Sequence, residues 1–306
     1  MDRRVFLGAS AGAMLGAQQG GEWGSPVIDI HLHPRKTVGD CFVHMEGCGA
    51  QKAVLLTRLA DADKAKGEIA MHPGRFIWFV AADPAQPGNF EGLQKALDSG
   101  ARGIGEMKNH TTADAKEMRK VYDMCAERKV PVLIHFQEVD HFENEGKWST
   151  GFAKSFESML KAFPKTKFIG HADAFWANVS ADYHNEAAYP SGPIKPGGIS
   201  DKLLSDYANF YGDCSANSGN NALSRDAEFT KGFLARHQDK LMFGSDCSCS
   251  DGHGAGISQA NNPAAARLNG KCVARATLTI LKASTTPAVF KKITWDNAHK
   301  LLKIPA

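Results

Sequence analysis

The sequence predicts one (β/α)₈ barrel behind a short N-terminal signal peptide. Three observations carry this. Short apolar runs alternate with helix-like stretches along the 306 residues. Several of the runs are nearly continuous in hydrophobic residues, as parallel strands covered on both faces should be. No glycine-rich dinucleotide fingerprint follows the first run, which counts against a doubly wound open sheet, the nearest alternative. A barrel of about 250 residues is routinely a single domain.

Eight runs read as strands: Val27–His33, Ala53–Thr57, Phe76–Ala81, Gly103–Met107, Val130–Phe136, Lys167–His171, Phe210–Cys214 and Leu241–Asp246. Between them, Thr112–Lys129 carries Met118, Val121, Tyr122 and Cys125 at spacings of three and four, with charges opposite. Phe152–Ala162 repeats the pattern, and Ala274–Lys282 and Pro287–Leu302 supply two further helices. Strands alternating with helices give βαβ units and a parallel sheet. Two connections exceed ordinary loop length, Ala181–Gly198 and Ser248–Gly270. Both follow strands, which places them as lids at the C-terminal face of a barrel.

Composition excludes several classes. With 43% hydrophobic and 23% charged residues, the chain is neither disordered nor fibrous, and it is long enough to fold without staples. Lys+Arg 36 against Asp+Glu 33 leaves +3 and no basic arm, so a nucleic-acid partner is not expected. Seven cysteines is an odd number.

Residues 1–20 read as an address. Arg3 and Arg4 precede Val5-Phe6-Leu7 and a short, glycine-rich apolar run, with small residues near Leu15-Gly16-Ala17 for cleavage. The run is too short for a stable membrane anchor. The Arg-Arg-x-Phe-Leu pattern resembles a bacterial twin-arginine signal, which implies the twin-arginine export machinery as a partner and a periplasmic location. The division expected is 1–25 for signal and linker, and 26–306 for the barrel. Disulfides are permitted in that compartment, so pairing of Cys41 with Cys48, or among Cys247, Cys249 and Cys272, is open.

Chemistry is written at the strand ends. His31 and His33 share one face of the first strand by alternation, together with Asp29. Further apolar runs stop at Glu106, His135, His171 and Asp246, each capable of binding a metal. Barrel active sites are assembled from the C-terminal ends of different strands, so these six residues are the expected metal centre. Any one buried histidine alone would read as a hydrogen-bonded core residue; five strand ends together do not. Lys108 and Arg35 are candidate substrate-carboxylate anchors, and Trp148 and Trp176 candidate pocket walls. Asp173 could support His171 or cap a loop. His110, His184 and His253 read as loop histidines. Asp296 or Asn297 would cap the last helix.

From Asp29 to about Leu302 the chain resembles the amidohydrolase superfamily, in particular its amidohydrolase-2 branch. The resemblance rests on Asp29-Ile-His31-Leu-His33, Pro131-Val-Leu-Ile-His135, Ile169-Gly-His171, Asp213-Cys-Ser215-Ala216, Phe243-Gly-Ser-Asp246 and Asp296-Asn297-Ala298. It implies a metal-dependent barrel enzyme, a hydrolase or a non-oxidative decarboxylase. It also implies His31, His33 and His135 as ligands, His171 as ligand or acid/base, and Asp246 as ligand and general base. Gly103-Ile-Gly-Glu106 is similar to the fourth-strand motif of the TatD-type branch, where the Glu bridges two metals. Two sites are therefore open. One is binuclear, bridged by Glu106; the other is mononuclear, with Glu106 beside the ion and Lys108 on the substrate. Imidazole and carboxylate donors suit Zn²⁺, Mn²⁺ or Fe²⁺ better than Mg²⁺, and zinc is the ion expected. The reaction expected is metal-assisted hydrolysis of a small lactone or amide. Decarboxylation is the alternative, with a TatD-like phosphodiesterase or a non-catalytic metal-binding module behind it.

Overall fold

Eight strands pair in chain order, every neighbour parallel: β1 Ile28–Leu32, β2 Lys52–Arg58, β3 Phe76–Ala81, β4 Ile104–Met107, β5 Pro131–His135, β6 Lys167–His171, β7 Phe210–Asp213 and β8 Leu241–Met242. The structure is a computed structural model and describes residues 21–138, 148–257, 259–261 and 263–304. The Arg3-Arg4 segment lies outside the described residues.

The ends of the sheet meet through Ile30 N–H to the Phe243 carbonyl (3.0 Å) and Asp246 N–H to the His31 carbonyl (2.8 Å). This makes the sheet a nearly closed barrel. Ile28, Ile30, Val54, Leu56, Phe79, Leu133, Ile169 and Met242 form one buried cluster. Side chains from six strands can meet only at the barrel axis, so this is the interior core. Ala298, Leu302 and Ile304 of the C-terminal segment join it and close the bottom. A larger apolar layer packs between the strands and the surrounding helices, with Phe152, Phe156, Phe175 and Phe210 linked by ring contacts.

All eight expected strands form, but the last is shorter than the apolar run. Phe243–Asp246 leaves the ladder because Ser245 N–H bonds the Asp29 carboxylate and Asp246 takes a left-handed φ of 46°. The helix expected from Thr112 begins at Lys116, and the one expected from Phe152 begins at Phe156. Pro287–Leu302 is not one helix. It divides into Pro287–Lys291, a π-helical stretch Lys292–Asp296, and Asn297–Leu302. Neither Asp296 nor Asn297 caps that last helix. Asn297 Nδ2 instead donates to the carbonyls of Gln238 and Leu241, tying it to the entry of β8, and Asp296 pairs with Lys291.

Strict alternation does not describe β1. Ile28 and Ile30 lie in the interior cluster, so alternation would send His31 outward. The pairing register shifts between Asp29 and Leu32, and again in β4 between Ile104 and Met107. Such irregularities re-aim side chains. They fall on the two strands that supply His31 and Glu106.

Candidate metal centre

Glu106 is the hub. Its Oε2 lies 3.4 Å from His33 Nε2 and 3.8 Å from His31 Nε2; its Oε1 lies 2.5 Å from His135 Nδ1 and 3.2 Å from His171 Nε2. Asp246 Oδ1 faces the same two histidines, at 3.8 Å from His31 and 3.5 Å from His33, while its Oδ2 is 3.9 Å from His171. Two groups of donor atoms are therefore compact enough for an ion: His31, His33 and Asp246, and His31, Glu106 and His171. His135 is the expected ligand that stands outside both; it reaches the centre through Glu106 Oε1.

Three of the imidazoles are held in the same sense. His31 Nδ1 is 2.6 Å from Asp213 Oδ2, His33 Nδ1 is 3.2 Å from the Leu56 carbonyl, and His171 Nδ1 is 2.7 Å from Ser215 Oγ. The Asp213 carboxylate and the Leu56 carbonyl can only accept, so they fix the Nδ1–H form of His31 and His33 and leave each Nε2 lone pair for a cation, whereas the Ser215 hydroxyl can donate to His171 Nδ1 and leave an Nε2–H. His31 Nε2 and His135 Nε2 are buried with no hydrogen-bond partner among the described residues. Donors bound to one ion at ~2.0–2.2 Å stand about 3–3.6 Å apart. The separations here meet or exceed that by a few tenths of an ångström. The donor set thus fits a divalent metal.

Electrostatics reflect the crowding. Burial alone would lower the His31 pKa, but the Asp213 and Asp246 carboxylates more than offset this and hold it well above the ordinary histidine value. Burial opposes ionisation of Glu106, yet His135, His171 and His31 keep its carboxyl well below the usual range. His171 is lowered by burial and then by the charge of His31. Asp29 is raised to about 6 by burial, partly offset by its hydrogen bonds to Ser245 and His31. Its Oδ1 accepts from the backbone N–H groups of both, so Asp29 shapes the β1–β8 seam.

Asp213 and Ser215 were marked in the sequence only as part of a motif, without a role. Both are buried. The available signal is a carboxylate one residue before the end of the seventh apolar run, the position Glu106 has in the fourth. Gly244 makes room for this arrangement, since a Cβ there would overlap Asp213 Oδ1 and the His31 Cβ.

Two clefts of about 320 and 730 Å³ meet at this centre. The smaller is lined by His135, His171, Asp173, Asp246 and residues of both long loops, including Tyr189 and Asn269. The larger is lined by His33, Glu106 and the ends of β2 and β3. Lys108 lines both. Trp148 stacks on His110 with ring centroids 4.8 Å apart and on His135 at 6.1 Å, but it lines neither cleft. His184 and His253 are exposed loop residues.

Two expected substrate contacts are corrected. Trp176 is fully buried, its Nε1 donating to the Asp213 carbonyl at 3.0 Å, and it lines neither cleft. Its apolar neighbours Phe175 and Phe233 claim it for the core. Arg35 also lines neither cleft, because its Nη2 is bound to the Cys247 carbonyl. The open disulfide pairings do not form, since all seven cysteines are free thiols.

No family model matches the chain, and no curated protein matches it. Solved structures do. A protein assigned as a 2-pyrone-4,6-dicarboxylic acid hydrolase from Acinetobacter baumannii, with citric acid bound, superposes at TM-score 0.59 with 11% identity, covering 90% of this chain and 99% of that one. A protein named amidohydrolase II superposes at TM-score 0.57 with 16% identity, covering 90% and 99%. The chain shares the (β/α)₈ barrel fold of these structures. A dihydroxybenzoic acid decarboxylase from a Polaromonas species, with manganese and 2-nitroresorcinol bound, shares this barrel at TM-score 0.51 and 15% identity, covering 91% and 97%. The structures similar to this chain thus include both a hydrolase and decarboxylases on the same barrel.

Proposed function

We propose that the chain is a metal-dependent hydrolase of a small carbonyl compound, a lactone or an amide. The observation that supports this most directly is the common orientation of the three imidazoles. Each is tied at Nδ1 and presents Nε2 toward Glu106 and Asp246.

His31, His33 and Asp246 would hold one divalent ion, zinc by donor chemistry, with Glu106 beside it. Glu106 Oε1 is engaged by His135 Nδ1 at 2.5 Å, which favours one ion over two. Such a cation acidifies water toward neutral pH and polarises a carbonyl. Asp246, whose side chain is 31% exposed and faces the smaller cleft, accepts the proton of the attacking water and delivers it to the leaving group. His171, positioned by Ser215, faces the developing oxyanion. Lys108 orients an anionic substituent of the substrate from the wall shared by the clefts. Asp213 keeps His31 in the tautomer that frees Nε2.

The test is a panel of lactones, cyclic amides and aromatic carboxylates, scored for ring opening and for CO₂ release, with metal content measured for the wild type and His31→Ala. Ring opening that disappears with a cation lost in His31→Ala supports the proposal. Full turnover by protein without metal at the barrel mouth overturns it. Decarboxylation is a second reading, in which Lys108, which lines both clefts, would hold a carboxylate; CO₂ release without ring opening would select it.

We also propose export by the twin-arginine route, on the strength of Arg3-Arg4-Val5-Phe6-Leu7. No helix among the described residues is long and apolar enough to cross a membrane. Fractionation of cells producing the full chain and Arg3→Lys/Arg4→Lys tests this. Equal periplasmic yield of the two would end it.

A further inference from the structure

Behind the barrel mouth lies a second group of donor atoms that the proposed reaction does not use. His44 belongs to the helix Asp40–Cys48, Cys247 and Cys249 to the segment after β8, and Cys272 to the residue before the helix Val273–Ser284. Three distant parts of the chain meet there, and all four residues are buried. Cys247 Sγ lies 3.3 Å from Cys249 Sγ and 3.8 Å from Cys272 Sγ, and His44 Nδ1 lies 3.4 Å from Cys249 Sγ. The four donor atoms all fall within 4.8 Å of one another. His44 Nε2 has no hydrogen-bond partner among the described residues.

We propose that His44, Cys247, Cys249 and Cys272 form a closed tetrahedral site for a zinc-type divalent cation. Three thiolates and an imidazole are a common structural zinc set, and sulfurs bound at ~2.3 Å to a tetrahedral ion stand about 3.8 Å apart. The Cys247–Cys272 separation already has that value, and the other two are within a few tenths of what such an ion needs. On binding, the three thiols would release their protons to solvent, and the loaded site would carry one net negative charge. Arg35 supplies the compensating charge, with its guanidinium held on the Cys247 carbonyl.

The backbone is built for this closure. A Cβ on Gly47 would overlap the Asp251 carbonyl, and one on Gly252 would strike the backbone of His44, Gly47 and Cys48. The loop after β8 therefore lies directly on the helix that carries His44. Asp251 shapes that loop by accepting the N–H groups of His253, Gly254 and Ala255 at 2.8–3.0 Å. None of the four donors lines either cleft. With every position filled by protein, the ion would have no room for substrate. Its role is to pin the segment that begins at Asp246.

Cobalt distinguishes this site from the barrel mouth, which has no sulfur donor among its ligands. The full chain is produced in cobalt-supplemented medium, and its near-ultraviolet absorption is recorded. The expected result is a thiolate-to-cobalt charge-transfer band that persists in His31→Ala and is lost in Cys249→Ser and Cys272→Ser. Absence of the band in the wild type overturns the site, whatever cobalt the mouth holds, as does a band unchanged in both cysteine variants. A second measurement needs no variant: peptide mapping of the wild type, denatured without reductant. Free thiols at all three cysteines support the site, and a disulfide from Cys247 to Cys249 or Cys272 overturns it.

Discussion

The barrel mouth and the pocket behind it use similar parts to opposite ends. At the mouth, nitrogen and oxygen donors converge between two clefts, with the His33 side chain 47% exposed and Asp246 31% exposed. Behind it, three sulfurs and a nitrogen converge with every donor residue buried. The two lie one residue apart in the chain, at Asp246 and Cys247. What separates them is access. A cation that is to do chemistry needs an open position and donors that leave it acidic, and one that holds a loop needs neither. The sequence Asp246-Cys247-Ser248-Cys249 therefore runs from a partly exposed donor to a fully buried one within four residues.

The sharpest way to break this contrast is Asp246→Asn, which keeps an oxygen for coordination but cannot accept a proton. Turnover should fall by about 10²–10⁴, while the metal content of the protein is unchanged. Wild-type kcat with metal retained would remove the general base from the mouth.

Trp176→Ala probes the boundary between mouth and core. The ring is fully buried behind β7, so its loss should cost about 3–5 kcal/mol in denaturant unfolding. KM on any substrate that is turned over should stay near the wild-type value. A large rise in KM with little loss of stability would restore Trp176 as a pocket wall.

Asp213→Asn comes next. The amide still reaches His31 Nδ1 but no longer supplies the carboxylate that fixes the tautomer. Metal affinity at the mouth should fall by about 10–100-fold. Equilibrium dialysis would check this, and unchanged affinity would make Asp213 a packing residue.

The smallest effect lies far from both sites. Burial raises the Asp201 carboxyl, but hydrogen bonds from His237 and Arg236 outweigh it and hold the pKa below the ordinary value. A depressed carboxyl binds fewer protons folded than unfolded. Its contribution is therefore complete above the ordinary carboxylate pKa and disappears as pH falls through the lower folded value. Because Arg236 is 47% exposed, solvent screens the pair and the contribution is about 1 kcal/mol or less. Asp201→Asn should flatten the acid limb of a pH–stability profile and leave turnover at the mouth unchanged.

Much of the fold was legible because it is local. A buried parallel strand must be apolar along its length, so the eight runs announced themselves. Barrel geometry then gathers their C-terminal ends, which is why Glu106, His171 and Asp246 could be named without coordinates. Arg35 and Trp176 could not be judged that way. Both sit just past strand ends, and nothing in a linear spacing says that a guanidinium turns to the Cys247 carbonyl or that an indole packs on Phe175. Asp213 was hidden for a related reason: a carboxylate that orients a histidine looks the same in sequence as any other strand-end acid.

By itself the sequence determined the strand–helix alternation, the parallel barrel and the set of residues that could hold a cation, because hydrophobic periodicity and the chemistry of each side chain are properties of the chain. Only the tertiary structure decided which of them meet. The register shifts in β1 and β4 turn His31 and Glu106 inward against simple alternation, and contact across a closed sheet brings His44 to Cys249 over 205 positions of sequence. Those pairings depend on backbone register and on loops packed against helices, and no periodicity in the chain encodes either.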